Sequence, residues 1–421
     1  MSSIIDDQEG VYTRKIGLAG GATLTVSLPK SMAEEMDLKQ GDFVSLIRRL
    51  ENSFVVIPEV SKWGVPRKVV IESSPNDEAD TVLRKVLSAY LAGCTVIFVS
   101  PGKLDKDKWK EALREVGHFV RFRMRDASFR MADRHPVYNT KETLIRVDVT
   151  VDYSPKHLEG ELKKMRDDII ALQRNAVTSI SESSPDYANV FFRADSDIDL
   201  TYLHLLRALK ESVIDERVMR QLGLNSLRAC LGFRHITKNL ERIGDHSVKI
   251  GKSFCDLVRD KKGKTKKNRL KRFEERLASH TSFWEAVKKL SEDAISVFED
   301  AIDYLFMRDY VKLDDLIKKV TGYKTDSHAE IEDEQVANKG NSIVERARRL
   351  LLEIPEWEPK KKKGFDPREV GMLTQVIDSI RRTAEYARGI SEVALNILFW
   401  EQLFLVPKEG DYRIVPPDVT R

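Results

Sequence analysis

Hydrophobic and polar positions change rhythm along this chain, and the changes divide it. Residues 14–58 carry short alternating runs, the period-two pattern of half-buried strands. Arg14–Leu18 and Thr23–Leu28 read as strands around a Gly20-Gly21 turn, and Pro29 starts a short helix to about Met36. Phe43–Arg49 and Phe54–Ile57 read as two more strands joined through Glu51-Asn52. A unit of this size is too small to bury its own sheet, and pairing with a second copy is the usual remedy. Over 67–150 the reading is strand Lys68–Ile71, helix Asp77–Leu91, strand Thr95–Val99, helix Asp105–Val116, then strands at about Phe119–Met124 and Leu144–Val151. That alternation predicts a small α/β layer.

Beyond residue 154 the period lengthens to that of a helix. Leu158, Leu162, Met165, Ile169 and Leu172 recur at three- and four-residue steps. None of the 14 prolines falls between Pro185 and Pro355, so little interrupts a helix there. The spacing predicts helices over Pro155–Ser181, from Asp186 to Leu222, and from the Ser226 cap to Val258. After a basic linker come Arg269–Met307, Tyr310–Leu352 and Pro367–Leu405, with Asp309 and Asp366 as caps. Two three-helix units in tandem suggest an internal duplication.

The third of these helices holds candidate chemistry. Glu241 and Asp245 stand four apart on one face, and Asp195 and Asp199 repeat the device on the helix before it. Four carboxylates on neighbouring antiparallel helices suit a hard or borderline cation. The same pairs can instead be solvated charges balanced locally, Glu241 by Lys238 and Asp245 by Lys249. A count from a turn near Leu224 leaves Asp199 and Asp245 offset by about five residues, ~7 Å along straight helices. His246 follows Asp245 but points about 100° away, which favours a satisfied surface or core histidine over a ligand.

Composition narrows the classes. Lys and Arg total 71 against 67 Asp and Glu, a net charge of +4, so nucleic-acid binding would need a local basic patch. Three scattered cysteines exclude a disulfide scaffold or a thiolate zinc site. No apolar run nears the ~18 residues of a membrane span, and the N-terminus lacks a secretory core, so a cytoplasmic protein is expected. No nucleotide cradle, HExxH or nucleophile grouping is present, and a carboxylate-bridged hydrolase would also need a base or oxyanion donor. No enzyme is expected. Arg259–Arg272 holds nine basic residues and one acid, and Lys360–Lys363 forms a second run. In an up-down helical arrangement both links fall at one end, a basic pole that is a candidate for an acidic partner or a peripheral membrane contact.

Asn239–Ile250, NLERIGDHSVKI, resembles the third-helix signature of PhoU-type phosphate-uptake regulators, which are tandem three-helix bundles. Residues 14–30, RKIGLAGGATLTVSLPK, with LKQGDFV at 38–44, resemble the dimeric swapped-hairpin (AbrB/MazE/SpoVT-like) DNA-binding domain. The order of the parts is similar to archaeal phosphate-uptake regulators. The resemblance implies a multidomain fold: a swapped-hairpin domain at 11–60, a small α/β domain at 61–153, and PhoU-like bundles at 154–260 and 268–406. It implies metal ions of the iron, zinc, manganese or magnesium kind at Asp195, Asp199, Glu241 and Asp245. In the second repeat Arg381 stands where the first carboxylate belongs and can pair with Glu385, with Lys318 and Gly322, or off register Asp326 and Glu330, on the preceding helix. One competent site is therefore expected. For the hairpin the resemblance implies a homodimer that meets DNA through Arg14, Lys15, Lys30, Arg48 and Arg49. The expected function is metal-binding, DNA-binding regulation of phosphate uptake. The alternative is an adaptor between a phosphate transporter and a sensor kinase, with the hairpin serving only to dimerise.

Overall fold

The structure, a computed structural model, describes residues 12–48, 53–58, 67–150, 157–185, 188–260, 264–322, 341–355 and 364–405. They fall into two compact units, Met1–Pro66 and Arg67–Arg421.

In the first unit, β1 (Gly17–Ala19) and β2 (Thr23–Thr25) pair antiparallel, Gly17 opposite Thr25. Gly20 and Gly21 make the turn with φ of 61° and 80°, the left-handed region that costs glycine nothing. Helix α1 (Lys30–Glu35) follows Pro29, and β3 (Val44–Arg48) pairs with β4 (Phe54–Pro58). Among the described residues each hairpin has two strands only, and a lone two-stranded hairpin is marginal in water. Leu18, Leu24, Phe43, Leu46 and Phe54 are each more than half exposed.

The second unit opens with β5 (Lys68–Glu72), α2 (Ala79–Leu91), β6 (Val96–Ser100), α3 (Lys106–Arg123), β7 (Ala127–Arg134) and β8 (Lys141–Val149). The sheet order is β5-β6-β8-β7, parallel between β5 and β6 and antiparallel elsewhere. Phe119–Met124 is not the expected strand. Its residues to Arg123 finish α3, and Met124 caps it. Val116, Val120 and Met124 are buried one turn apart, so helical packing overrides the β-prone composition. The strand that composition missed is β7, whose alternation is mostly polar and exposed.

Nine helices follow among the described residues: α4 (His157–Ser181), α5 (Ala188–Ile214), α6 (Glu216–Gln221), α7 (Leu227–Val258), α8 (Lys267–Ser279), α9 (Thr281–Met307), α10 (Tyr310–Thr321), α11 (Ile343–Leu352) and α12 (Pro367–Leu405). The expected single helix over Arg269–Met307 is two. His280 interrupts it, its Nδ1 2.9 Å from the Arg276 carbonyl. The expected helix Tyr310–Leu352 also ends early, because Gly322 caps α10 at φ 71°.

One apolar core runs through both helical repeats, from Leu158 to Leu398. At its centre Gln173 joins four helices. Its amide donates to Ser291 Oγ at 3.1 Å and its carbonyl accepts from Ser247 and Thr383 at 3.3 and 2.9 Å. A buried polar group satisfied from three helices pins their register. Helix α5 serves two cores at once. Leu205 and Leu209 face the bundle, while Leu203 packs into the core of the α/β layer.

Candidate functional site

Helices α5 and α7 can approach closely because α7 puts glycine where they touch. A Cβ at Gly244 would lie 3.1 Å from Ile198 Cγ2, and one at Gly251 would lie 2.3 Å from Phe191 Cε2. Both contacts centre the pairing near Gln221 rather than Leu224, since α5 stops at Ile214 and the short α6 intervenes. The predicted offset of five residues therefore shrinks to about two, ~3 Å along the axis. Asp195, Asp199, Glu241 and Asp245 form one acidic face.

The electrostatics record that crowding. Burial and the charges of Asp195, Asp245 and Glu241 push Asp199 up to about 6, against the opposing pull of Arg123. Asp245 also rises to about 6. Its side chain is exposed, yet the burial of its inner edge is the largest cause, followed by Glu241 and Asp195. Asp195 is raised too, by burial and then Glu241. Asp168 on α4, absent from the sequence reading, is raised by burial and by Asp197, Asp167 and Glu161.

A cation already answers part of this charge. Arg123, the last residue of α3, bonds Asp199 and lies 3.8 Å from Asp195. Its neighbour Arg125 holds Glu161 on α4 at 2.7 Å. No local sequence signal marks Arg123, which meets its carboxylates 72 and 76 residues away only through docking of the α/β layer. Lys238 holds Glu241 at 2.6 Å, whereas no ion pair joins Lys249 to Asp245 among the described residues. The donor chemistry fits a hard cation. As placed, among the described residues no three such side chains converge tightly enough to hold one, and Arg123 occupies the approach to the α5 pair.

His246 turns away, 3.3 Å from Ser379 Oγ and stacked obliquely near Tyr386. Burial drives its pKa down to about 4, the behaviour of a neutral core histidine. In the second repeat Arg381 bonds Glu385 at 2.6 Å and Asp378 at 2.5 Å. Lys318 pairs with Asp314 and Asp315. Asp326 and Glu330 lie outside the described residues.

The basic residues of the first unit lie apart along the chain. Arg14 sits 5.9 Å from the Tyr12 ring, Lys15 and Arg48 are exposed, and Lys30 pairs with Glu34 at 3.6 Å. Arg49 lies outside the described residues.

Residues 162–254, from α4 to α7, match the model of the PhoU domain. This matched segment is similar to a PhoU domain. The acidic face lies within it, and residues 19–64 match a second model, antidote-toxin recognition MazE, bacterial antitoxin. Among solved structures the chain is similar to the phosphate transport system regulatory protein PhoU from Streptococcus pneumoniae, at 14% identity and a TM-score of 0.37, over 57% of this chain and 92% of that one. A likeness that distant says nothing of function. No curated protein matches the chain. No described helix is long and apolar enough to cross a membrane.

Proposed function

We propose that this protein is a non-enzymatic regulator of phosphate uptake that dimerises and binds DNA through its MazE-type unit and takes a metal ion on its PhoU domain. The observation that carries this reading is the union in one chain of the two matched domains. The dimer is supported by the first unit, whose hairpins leave Leu24, Phe43 and Leu46 in solvent. Arg14, Lys15, Lys30, Arg48 and Arg49 would supply the phosphate contacts that position such a domain on a duplex.

Asp195, Asp199, Glu241 and Asp245 would hold the ion, of the iron, zinc, manganese or magnesium kind. When bound, it supplies positive charge that these crowded carboxylates lack. Arg123 then has to yield the α5 pair, so loading the site would loosen the α/β layer from α5.

Two measurements test the reading. A gel shift with fragments upstream of phosphate-transport genes, run at several salt concentrations, should show binding that weakens steeply with salt. Lys15→Gln with Arg48→Gln should reduce it. An unshifted fragment at low salt would favour the adaptor role between a phosphate transporter and a sensor kinase. Elemental analysis after metal loading should find metal lost from Glu241→Ala/Asp245→Ala and kept in Glu385→Ala. Equal loss in both would refute a single site.

A further inference from the structure

The links between α7 and α8 and between α11 and α12 end together, although about 100 residues separate them. Arg276 on α8 binds both Asp366 and Glu369 at the start of α12, at 3.1 and 2.5 Å. Beside this clasp lies a cavity of about 760 Å3 lined by the first residues of both helices. Five cationic side chains reach its wall: Lys266, Lys267, Arg269, Arg272 and Arg368. Lys266, Lys267, Arg272 and Arg368 are exposed, and among the described residues none of them has a carboxylate partner. Exposed unpaired cations packed on one wall repel one another unless an anion joins them.

The two carboxylates in the lining do not fill that role. Asp366 accepts from the N–H groups of Arg368 and Glu369 at 3.0 and 3.1 Å, and Glu369 accepts from the Asp366 N–H at 2.9 Å. Together they box the N-terminus of α12, and Arg276 binds both and offsets one of their two charges. Helix α8 has no such arrangement. Its cap, Lys266, makes no side-chain capping bond, and its first turn holds no acid. The N–H groups of Lys267 and Asn268 have no acceptor among the described residues, so the helix dipole adds to the cationic wall.

We propose that this cavity binds a phosphate-class oxyanion. Forked guanidiniums at Arg272 and Arg368 suit the paired oxygens of a phosphate, the lysines supply mobile charge, and the uncapped start of α8 supplies backbone donors. The same chemistry is presented by free inorganic phosphate or pyrophosphate and by the phosphate headgroups of an anionic lipid surface. The site is remote in sequence from the acidic face and does not depend on the regulatory reading.

The test uses the full chain, wild type against Arg272→Gln/Arg368→Gln, with Lys103→Gln/Lys289→Gln as a control that removes the same charge elsewhere. Calorimetric titration with inorganic phosphate and with pyrophosphate is run beside co-sedimentation with phosphatidylglycerol vesicles and with neutral phosphatidylcholine vesicles. Saturable pyrophosphate or phosphate binding that weakens about ten-fold or more in the cavity variant but not the control supports a free phosphate ligand. Binding confined to phosphatidylglycerol vesicles, with the same pattern of loss, supports a headgroup. No binding to any of these probes, or binding that both variants reduce equally or neither reduces, overturns the proposal. The altered positions are exposed, and a circular dichroism melt identical to wild type confirms that the comparison is between folded proteins.

Discussion

Asp245 shows how one side chain reports on its surroundings. Its carboxyl is raised to about 6 from an ordinary value near 3.8, so between those pH values the folded protein holds a proton that the unfolded chain releases. The contribution of this group to stability is therefore greatest below about pH 4 and declines as pH rises through 6. Asp245→Asn removes the repulsion. In the presence of a chelator the variant should melt about 1–3 °C higher than wild type at pH 7.5 and no higher at pH 4. A shift of equal size at both pH values would mean that charge is not the cause. The acidic pairs themselves were legible from their four-residue spacing. Arg123 and Asp168 were not, because nothing in the local pattern of either marks a neighbour on another element. His204 and Asp126 make the same point, 3.7 Å apart in space and 78 positions apart in the chain.

At the scale of elements, the contact between α5 and α7 depends on side chains that α7 does not have. Gly251 lies against the buried ring of Phe191. Alanine is the better helix former by about 1 kcal/mol, yet here its methyl would overlap the ring. Gly251→Ala should destabilise the protein by about 1–3 kcal/mol, read from chemical denaturation. Gly244→Ala, whose methyl would meet Ile198 Cγ2 at 3.1 Å, should cost less than Gly251→Ala. A stabilised Gly251→Ala variant would show that Phe191 moves aside freely. The start of α7 follows from a sequence signal, the Ser226 cap, whose hydroxyl accepts from the Ala229 N–H at 3.1 Å. The break at His280 and the helical ending of α3 did not, since periodicity cannot show which neighbour a segment packs on.

The whole molecule joins a core-poor unit to a core-rich one. Leu24 and Leu46 are 69% and 66% exposed, and burying such surfaces against a second copy would contribute about 25 cal/mol per Å2. If the proposed dimer forms there, Leu24→Asp/Leu46→Asp in the full chain should shift the mass seen by light scattering from dimer to monomer while leaving the helical signal intact. A variant that stays dimeric would move the interface elsewhere. In the larger unit the α/β layer is tied to α5 by more than apolar contact. Arg207, 1% exposed, lies over the Tyr90 ring and donates to its carbonyl, and Arg67 holds Glu211 at 2.9 Å. Arg207→Leu should therefore loosen the α/β layer first, seen as faster amide exchange in α2 and α3 than in α9.

Local pattern determined most elements of this protein. Alternation marked the hairpins, the 3.6-residue period and the absence of proline marked the helices, and caps marked several ends. The acidic spacing marked one face of α7 and one of α5. Only the tertiary structure decided what those faces meet. Glycines on α7 set the level of the two carboxylate pairs, a guanidinium from the α/β layer came to rest on one of them, and the first residues of two distant helices lined a cationic cavity. Helical periodicity is a property of neighbouring residues, so one chain segment reveals it. A charge pair between residues 76 or 90 apart depends on packing angle and register, which are settled by the whole core at once.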